Sequence, residues 1–288
     1  MANRSASHAT AAATRVLQQL KKLEPPVPVD KIAKNILRLR VKQVPDPGVH
    51  YSRPLAPSVR VAAVLDARTG MVWLRDSHHP HRARFSLAHE IGHLKLHVDA
   101  PHPDGFFCRE EDISATSGAA DPIEIEANAF ASELLLPSPL LRRRVDNADV
   151  QLSLVLELAR EFGVSPECMA IRIARAAWQP YAMIVSSEGK VEFSFCSPAM
   201  RQLTCYTFVR KGDIVDRCTE TAKYFQSPER VAAKHQSSHD VDPTRWFADC
   251  RDDNYLIEEV AGLGHGRVLT ILSQDYTQQS TDDDDEDY

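Results

Sequence analysis

Arg84 to His97 reads RFSLAHEIGHLKLH, and the pair of histidines four apart within it constrains this chain more than any other feature. On a helix, residues four apart lie about 6 Å along one face. His89 and His93 can therefore aim two imidazoles at one zinc ion, at the usual Zn–N distance of about 2.0–2.1 Å. Glu90 sits roughly 100° around the helix from His89. There it reaches a water at the metal without ligating the metal, which is the position of a general base. Phe85, Leu87, Ala88, Ile91, Gly92, Leu94 and Leu96 make the rest of the segment largely apolar. A helix so composed is buried, and a buried polar trio needs partners that a metal can supply.

Such a site requires a third protein ligand and an open fourth position. His97 fails as that ligand: it lies eight residues past His89, about 12 Å along an unbroken helix, and no glycine after His93 turns the chain back. It reads as a packing residue or one that supports a ligand from behind. The stretch DPIEIEANAFASELLLP, Asp121 to Pro137, supplies a better candidate. Asp121 is placed to cap a helix that Pro122 opens and Pro137 ends. Glu124, Ala127, Asn128, Ala131, Leu134 and Leu135 form one core-facing stripe. Glu124 leads it as the third ligand, and Asn128 follows one turn later, placed to hydrogen-bond a ligand histidine. Glu126 points about 200° away, toward solvent, which favours Glu124 over it.

In these two segments the chain resembles the ImmA/IrrE family of bacterial zinc metallopeptidases, RFSLAHEIGHLKLH and EIEANAFASELLLP being the most specific part. The upstream PPVPVDKIAKNILRLRV is also similar, so the likeness covers about residues 25–175. The resemblance implies an α+β fold with a zincin-like HExxH domain, Zn2+ held by His89, His93 and Glu124, and Glu90 as base. It further implies a cytoplasmic endopeptidase whose protein substrate is a helix-turn-helix transcriptional repressor, cut to relieve repression in stress response or mobile-element transfer. About a hundred residues follow the core, where relatives with long extensions carry a sensor-like domain.

Composition agrees. A chain of 288 residues, 43% hydrophobic and 26% charged, has room for about two ordinary globular domains. A net charge of −6 gives no global attraction to nucleic acid. No apolar run approaches the roughly 18 residues that span a membrane, and the first residues lack the apolar centre of a signal peptide. Cys108, Cys168, Cys196, Cys205, Cys218 and Cys250 form no C-x-x-C pair and read as reduced thiols.

The organisation expected from pattern is as follows. Residues 1–24 are an N-terminal helical segment, with a helix over 9–23. Residues 25–146 are the zinc metallopeptidase domain. In it, Asp30 caps a helix from Lys31 to about Arg38, and Val59 to Leu74 forms a β-hairpin turning at Arg68-Thr69-Gly70. That hairpin is the candidate edge for an extended substrate. His78 to Arg82 is a loop of exposed histidines, and 99–121 a flexible loop flanking the cleft. Residues 147–177 are helix-turn-helix-like, turning at Gly163-Val164-Ser165-Pro166. Arg172 and Arg175 are available to DNA there, but Glu157, Glu161 and Glu167 offset them, so packing or substrate docking is favoured over direct DNA binding. Residues 178–276 are a C-terminal α/β or β-rich domain, with a hairpin around Ser186–Lys190 and a late strand at Arg267–Leu272. Its sensory role comes from the resemblance. Residues 277–288 are a disordered acidic tail.

Two functions compete. One is the zinc endopeptidase, with Tyr51 as the donor that steadies the oxyanion. The other is a non-catalytic zinc-stabilised regulator, or a DNA- or repressor-binding module. An intact Glu90 favours the enzyme, because a structural zinc site needs no base.

Overall fold

Regular elements run through most of the chain in the computed structural model, which describes residues 2–51, 55–56, 58–97, 106–109, 121–146, 148–176, 179–204, 207–248 and 256–274. Helix and strand are mixed, in agreement with the expected α+β class. Two compact units emerge, Met1–Arg143 with Leu158–Met169, and Arg144–Glu157 with Ala170–Tyr288.

The first unit opens with α1 (Ala2–Leu17), which begins and ends earlier than the 9–23 span expected. It stops where its buried stripe of Ala9, Ala12, Ala13, Val16 and Leu17 stops. α2 (Val29–Lys31) continues through Ile32–Ile36 with wider, π-type bonding. Its cap position is Pro28; Asp30 lies inside the first turn and does not cap it.

β1 (Arg40–Val44), β2 (Val61–Asp66), β3 (Met71–Arg75) and β4 (Phe106–Arg109) form one sheet in the order β1-β3-β2-β4. β2 and β3 are the expected hairpin. Asp66 closes its turn by accepting bonds from Arg68 N, Thr69 N and the Thr69 hydroxyl. Both hairpin strands are paired on both sides, however, so the hairpin has no free edge for a substrate; among the described residues the edges are β1 and β4. β4 falls inside the stretch expected to be a loop. Its Phe106 and Cys108 are buried while Arg109 is exposed, an alternation too short to read as a strand from sequence. The rest of 99–120 lies outside the described residues.

α3 (Pro80–Leu96) lies against this sheet. It starts at Pro80, so the histidine-rich stretch 78–82 belongs largely to a helix start and not to a loop; His79 Nδ1 accepts from His81 N. α4 (Pro122–Leu135) is capped by Asp121, whose carboxylate accepts from Ile123 N at 3.0 Å. It packs against both α1 and α3. α5 (Ser138–Val145) is capped by buried Glu133, which accepts from Ser138 N and its hydroxyl. α6 (Leu152–Phe162) and α7 (Pro166–Ala176) follow the expected helix–turn–helix pattern. Gly163 leaves α6 at φ +66, and the Ser165 hydroxyl accepts from Cys168 N at the start of α7. Arg84 reaches from α3 to the carbonyls of Val27, Phe162 and Gly163, a cation on a helix C-terminus.

In the second unit, β5 (Tyr181–Ser187) and β6 (Lys190–Cys196) make the expected hairpin, with Glu188 and Gly189 both at positive φ in a two-residue turn. They are followed by α8 (Pro198–Thr204), β7 (Thr207–Phe208), α9 (Glu220–Gln226), α10 (Pro228–Ala232), β8 (Gln236–Val241), β9 (Phe247–Ala248), β10 (Leu256–Gly264) and β11 (Arg267–Gln274). The main sheet is antiparallel throughout, in the order β6-β5-β11-β10-β8. Ala182, Ile184, Trp246, Phe247 and Leu272 belong to its core. The buried Glu258 is tolerated because it accepts from Glu220 N, Thr221 N and the Thr221 hydroxyl at the start of α9. The acidic tail 277–288 lies outside the described residues. Among those residues no helix is long and apolar enough to cross a membrane.

Candidate metal centre

α3 and α4 bring the site together. His89 and His93 are wholly buried on α3, and Glu124 stands on the first turn of α4. Each offers one ligand atom, and the three atoms lie within 4.8 Å of one another, a group that can hold a metal ion. His89 Nε2 and His93 Nε2 are 2.9 Å apart. Glu124 places one carboxylate oxygen 3.0 Å from His89 Nε2 and the other 3.3 Å from His93 Nε2. Tetrahedral zinc with bonds of about 2.05 Å separates its ligand atoms by roughly 3.3 Å, close to this spacing.

Hydrogen bonding behind the imidazoles shows why a cation suits the site. His89 Nδ1 lies 2.9 Å from Asn128 Oδ1, which can only accept, so the proton sits on Nδ1 and the Nε2 lone pair faces inward. Asn128 thus does what its place on the stripe led us to expect. His93 Nδ1 meets His97 Nδ1 at 3.1 Å, and His97 Nε2 meets Glu126 Oε2 at 3.0 Å. A carboxylate accepts from His97 Nε2–H, which leaves His97 Nδ1 to accept from His93 Nδ1–H. Both Nε2 lone pairs then face each other and the Glu124 carboxylate, an arrangement that repels itself unless a positive charge lies between them.

Glu126 therefore departs from the expectation that it faces solvent. Its flexible side chain reaches from the flank of α4 to His97, leaving it half-buried. Reading the sequence missed this pair, although His97 stands one turn beyond His93. Tyr51 is also corrected. Phe106 stacks on His93 with centroids 4.6 Å apart, whereas Tyr51 packs on Phe107. Successive residues of a strand face opposite sides of the sheet, so Tyr51 covers the side away from the histidines.

Electrostatics separate the two carboxyl groups. Burial pushes Glu90 well above the usual carboxylate range, and the charge of Glu124 pushes it further the same way. Glu90 is fully buried, and neither of its oxygens has a hydrogen-bond partner among the described residues. Burial would also raise Glu124, but the close approach of His89 and His93 holds it far below its ordinary value. Burial lowers His93 to about 4, so its imidazole is neutral at physiological pH, as a metal ligand must be.

Residues 32–174 match the IrrE N-terminal-like domain of the M78 peptidases, a span that contains the whole of this centre. Over that span, the chain is an IrrE-like domain. Among solved structures, a Mycobacterium tuberculosis transcriptional regulator is similar in fold, with a TM-score of 0.57 and 15% identity over 94% of this chain and 76% of that one. Among curated protein sequences, none matches this one significantly.

The crossing of α3 and α4 that holds the IrrE-like centre together depends on Gly92. A Cβ there would lie 3.1 Å from both Cα and O of Ala127, and 3.3 Å from Phe130 Cβ. Gly92→Ala gains roughly 1 kcal/mol of helix propensity but overpacks a backbone contact at a cost of about 1–3 kcal/mol. The expected result is a net loss of up to about 2 kcal/mol in denaturant unfolding, with Glu124 carried away from the two histidines along with α4. A more stable variant would show that the helices do not meet this closely.

Proposed function

We propose that this chain is a cytoplasmic zinc-dependent endopeptidase with a zincin-like core, and that it cleaves a helix-turn-helix transcriptional repressor to relieve repression. The observation that carries the reading is Glu90, a fully buried carboxyl with no hydrogen-bond partner among the described residues, one residue from a His–His–Glu group. A buried polar group left unpaired costs about 1–3 kcal/mol or more, and that cost is understandable in a group kept open for a reacting proton. The family match over residues 32–174 supports the same reaction class.

A zinc ion held by His89, His93 and Glu124 would polarise the scissile carbonyl and make a water more acidic. Glu90 accepts the proton of the attacking water and later delivers it to the departing amine nitrogen. Its raised proton affinity suits a group that holds the proton between those two transfers. Asn128 and His97 keep the two imidazoles turned inward. β4 runs past His93 and is paired only with β2 among the described strands, so it is the edge along which an extended peptide segment adds as a further strand. The helices α6 and α7 are available to dock the folded part of a repressor, and the second unit is suited to a sensory role.

A second reading, a non-catalytic zinc-stabilised regulator, draws on the likeness in fold to a transcriptional regulator. The two separate in one experiment. The purified protein is mixed with the helix-turn-helix repressor encoded beside its gene, with and without a zinc chelator, and fragments are followed by gel and mass spectrometry. Cleavage at one internal site, lost with the chelator, is expected. A repressor that stays intact yet leaves its operator would replace the enzyme with the second reading.

A further inference from the structure

We propose that His97 and Glu126 are positioning residues that set the tautomer of His93 through a two-imidazole relay; this rests on the metal reading of the His–His–Glu group. The relay runs His93 Nδ1 to His97 Nδ1 at 3.1 Å, then His97 Nε2 to Glu126 Oε2 at 3.0 Å. His97 is buried, and its ring lies beside that of Phe106, which also stacks on His93. Phe106 thus walls the relay, and His97 has little room to turn away.

The logic follows from what each nitrogen can do. A neutral imidazole has one N–H and one lone pair. Glu126 accepts, so His97 carries its proton on Nε2 and offers the Nδ1 lone pair to His93. His93 must then carry its proton on Nδ1, which frees Nε2 to bind a metal. Without Glu126, His97 can hold its proton on Nδ1 instead. Its Nδ1–H then points at His93 Nδ1, which becomes the acceptor, and the His93 proton moves to Nε2, the atom that faces His89 and Glu124. One lost carboxylate at the half-exposed end reverses both rings and blocks the ligand atom. Asn128 performs the equivalent task for His89 in a single step. The two ligand histidines are therefore fixed by different devices, one direct and one relayed.

The test compares wild type with Glu126→Ala, His97→Phe and His97→Gln. In the chelator-stripped protein, long-range nitrogen–proton NMR of the imidazoles reports the His93 tautomer directly. Wild type is expected to show the proton on Nδ1. Glu126→Ala and His97→Phe are expected to move it largely to Nε2 and to weaken zinc 10–100-fold in competition with a chromophoric chelator. His97→Gln, whose amide oxygen can still accept from His93 Nδ1–H, is expected to restore both readouts at least in part. Glu126 is half-buried on a helix flank, so its alanine variant folds even if the His97 variants do not. An unchanged His93 tautomer and an unchanged zinc affinity in Glu126→Ala would overturn the relay. Wild-type protein that binds no zinc, while the tautomer still shifts in the variants, would instead refute the metal reading and leave the relay standing.

Discussion

Glu90→Gln is expected to keep the fold and the zinc and to abolish peptide cleavage. Glutamine is nearly the same size and can still hydrogen-bond a water, yet it accepts no proton at neutral pH. Losing a general base costs about 10²–10⁴ in rate, enough to silence a slow and selective peptidase. Zinc affinity should hardly change, because the atoms that can coordinate belong to His89, His93 and Glu124. Stability provides a second readout. Burial raises the Glu90 carboxyl well above its ordinary 4.5 in the folded, metal-free protein. The unfolded chain therefore releases that proton first as pH rises, and stability falls above about that value until the folded group ionises too. The sign is opposite to that of a salt-bridged carboxylate. Chelator-stripped Glu90→Gln should match wild type in acid and exceed it at neutral pH, measured by denaturant unfolding across pH. A variant that still cuts the repressor, or one that is less stable than wild type at pH 7, would remove Glu90 from the role assigned to it.

Glu124→Ala is expected to cost more zinc than any substitution among the supporting residues. The carboxylate supplies a negative charge at 3.0 and 3.3 Å from the Nε2 atoms of two imidazoles, and its strongly lowered proton affinity keeps that charge down to acid pH. Removing it deletes a ligand atom and the only carboxylate of the metal-capable group. The expected loss exceeds the 10–100-fold that follows from disturbing a residue behind a ligand, so Glu126→Ala retains much more zinc than Glu124→Ala. Metal content after dialysis, read by atomic emission, should fall from about one per chain to near zero for Glu124→Ala. Equal metal in the two variants would transfer the third ligand away from Glu124.

Much of this centre was legible in the chain because its parts are local. The i,i+4 spacing places His89 and His93 on one helix face whatever the rest of the protein does. The same arithmetic puts Asn128 one turn after Glu124, and it lies 2.9 Å from His89 in the structure. The turns at Thr69-Gly70 and Glu188-Gly189 were likewise readable, since short turns draw on few residue types. Helix ends were less so. α1 runs from Ala2 and not from Ala9, and it ends at Leu17, where its buried stripe ends, because tertiary burial and not local preference sets that end.

What the sequence by itself determined is therefore a set of faces: a polar trio on an apolar helix, an acidic and amide stripe on another, and alternating strands. Only the tertiary structure decided how those faces meet. The close approach at Gly92 and Ala127 puts Glu124 across from both histidines. Sheet order leaves β4, not the hairpin, with an open edge. The same helix crossing turns Glu126 from a surface acid into the end of a relay through His97. Each of these depends on contacts between residues 29 or more positions apart or on strand neighbours distant in sequence. No periodicity within one element can encode them, because periodicity fixes directions around a helix or strand axis and says nothing of where that axis lies relative to another.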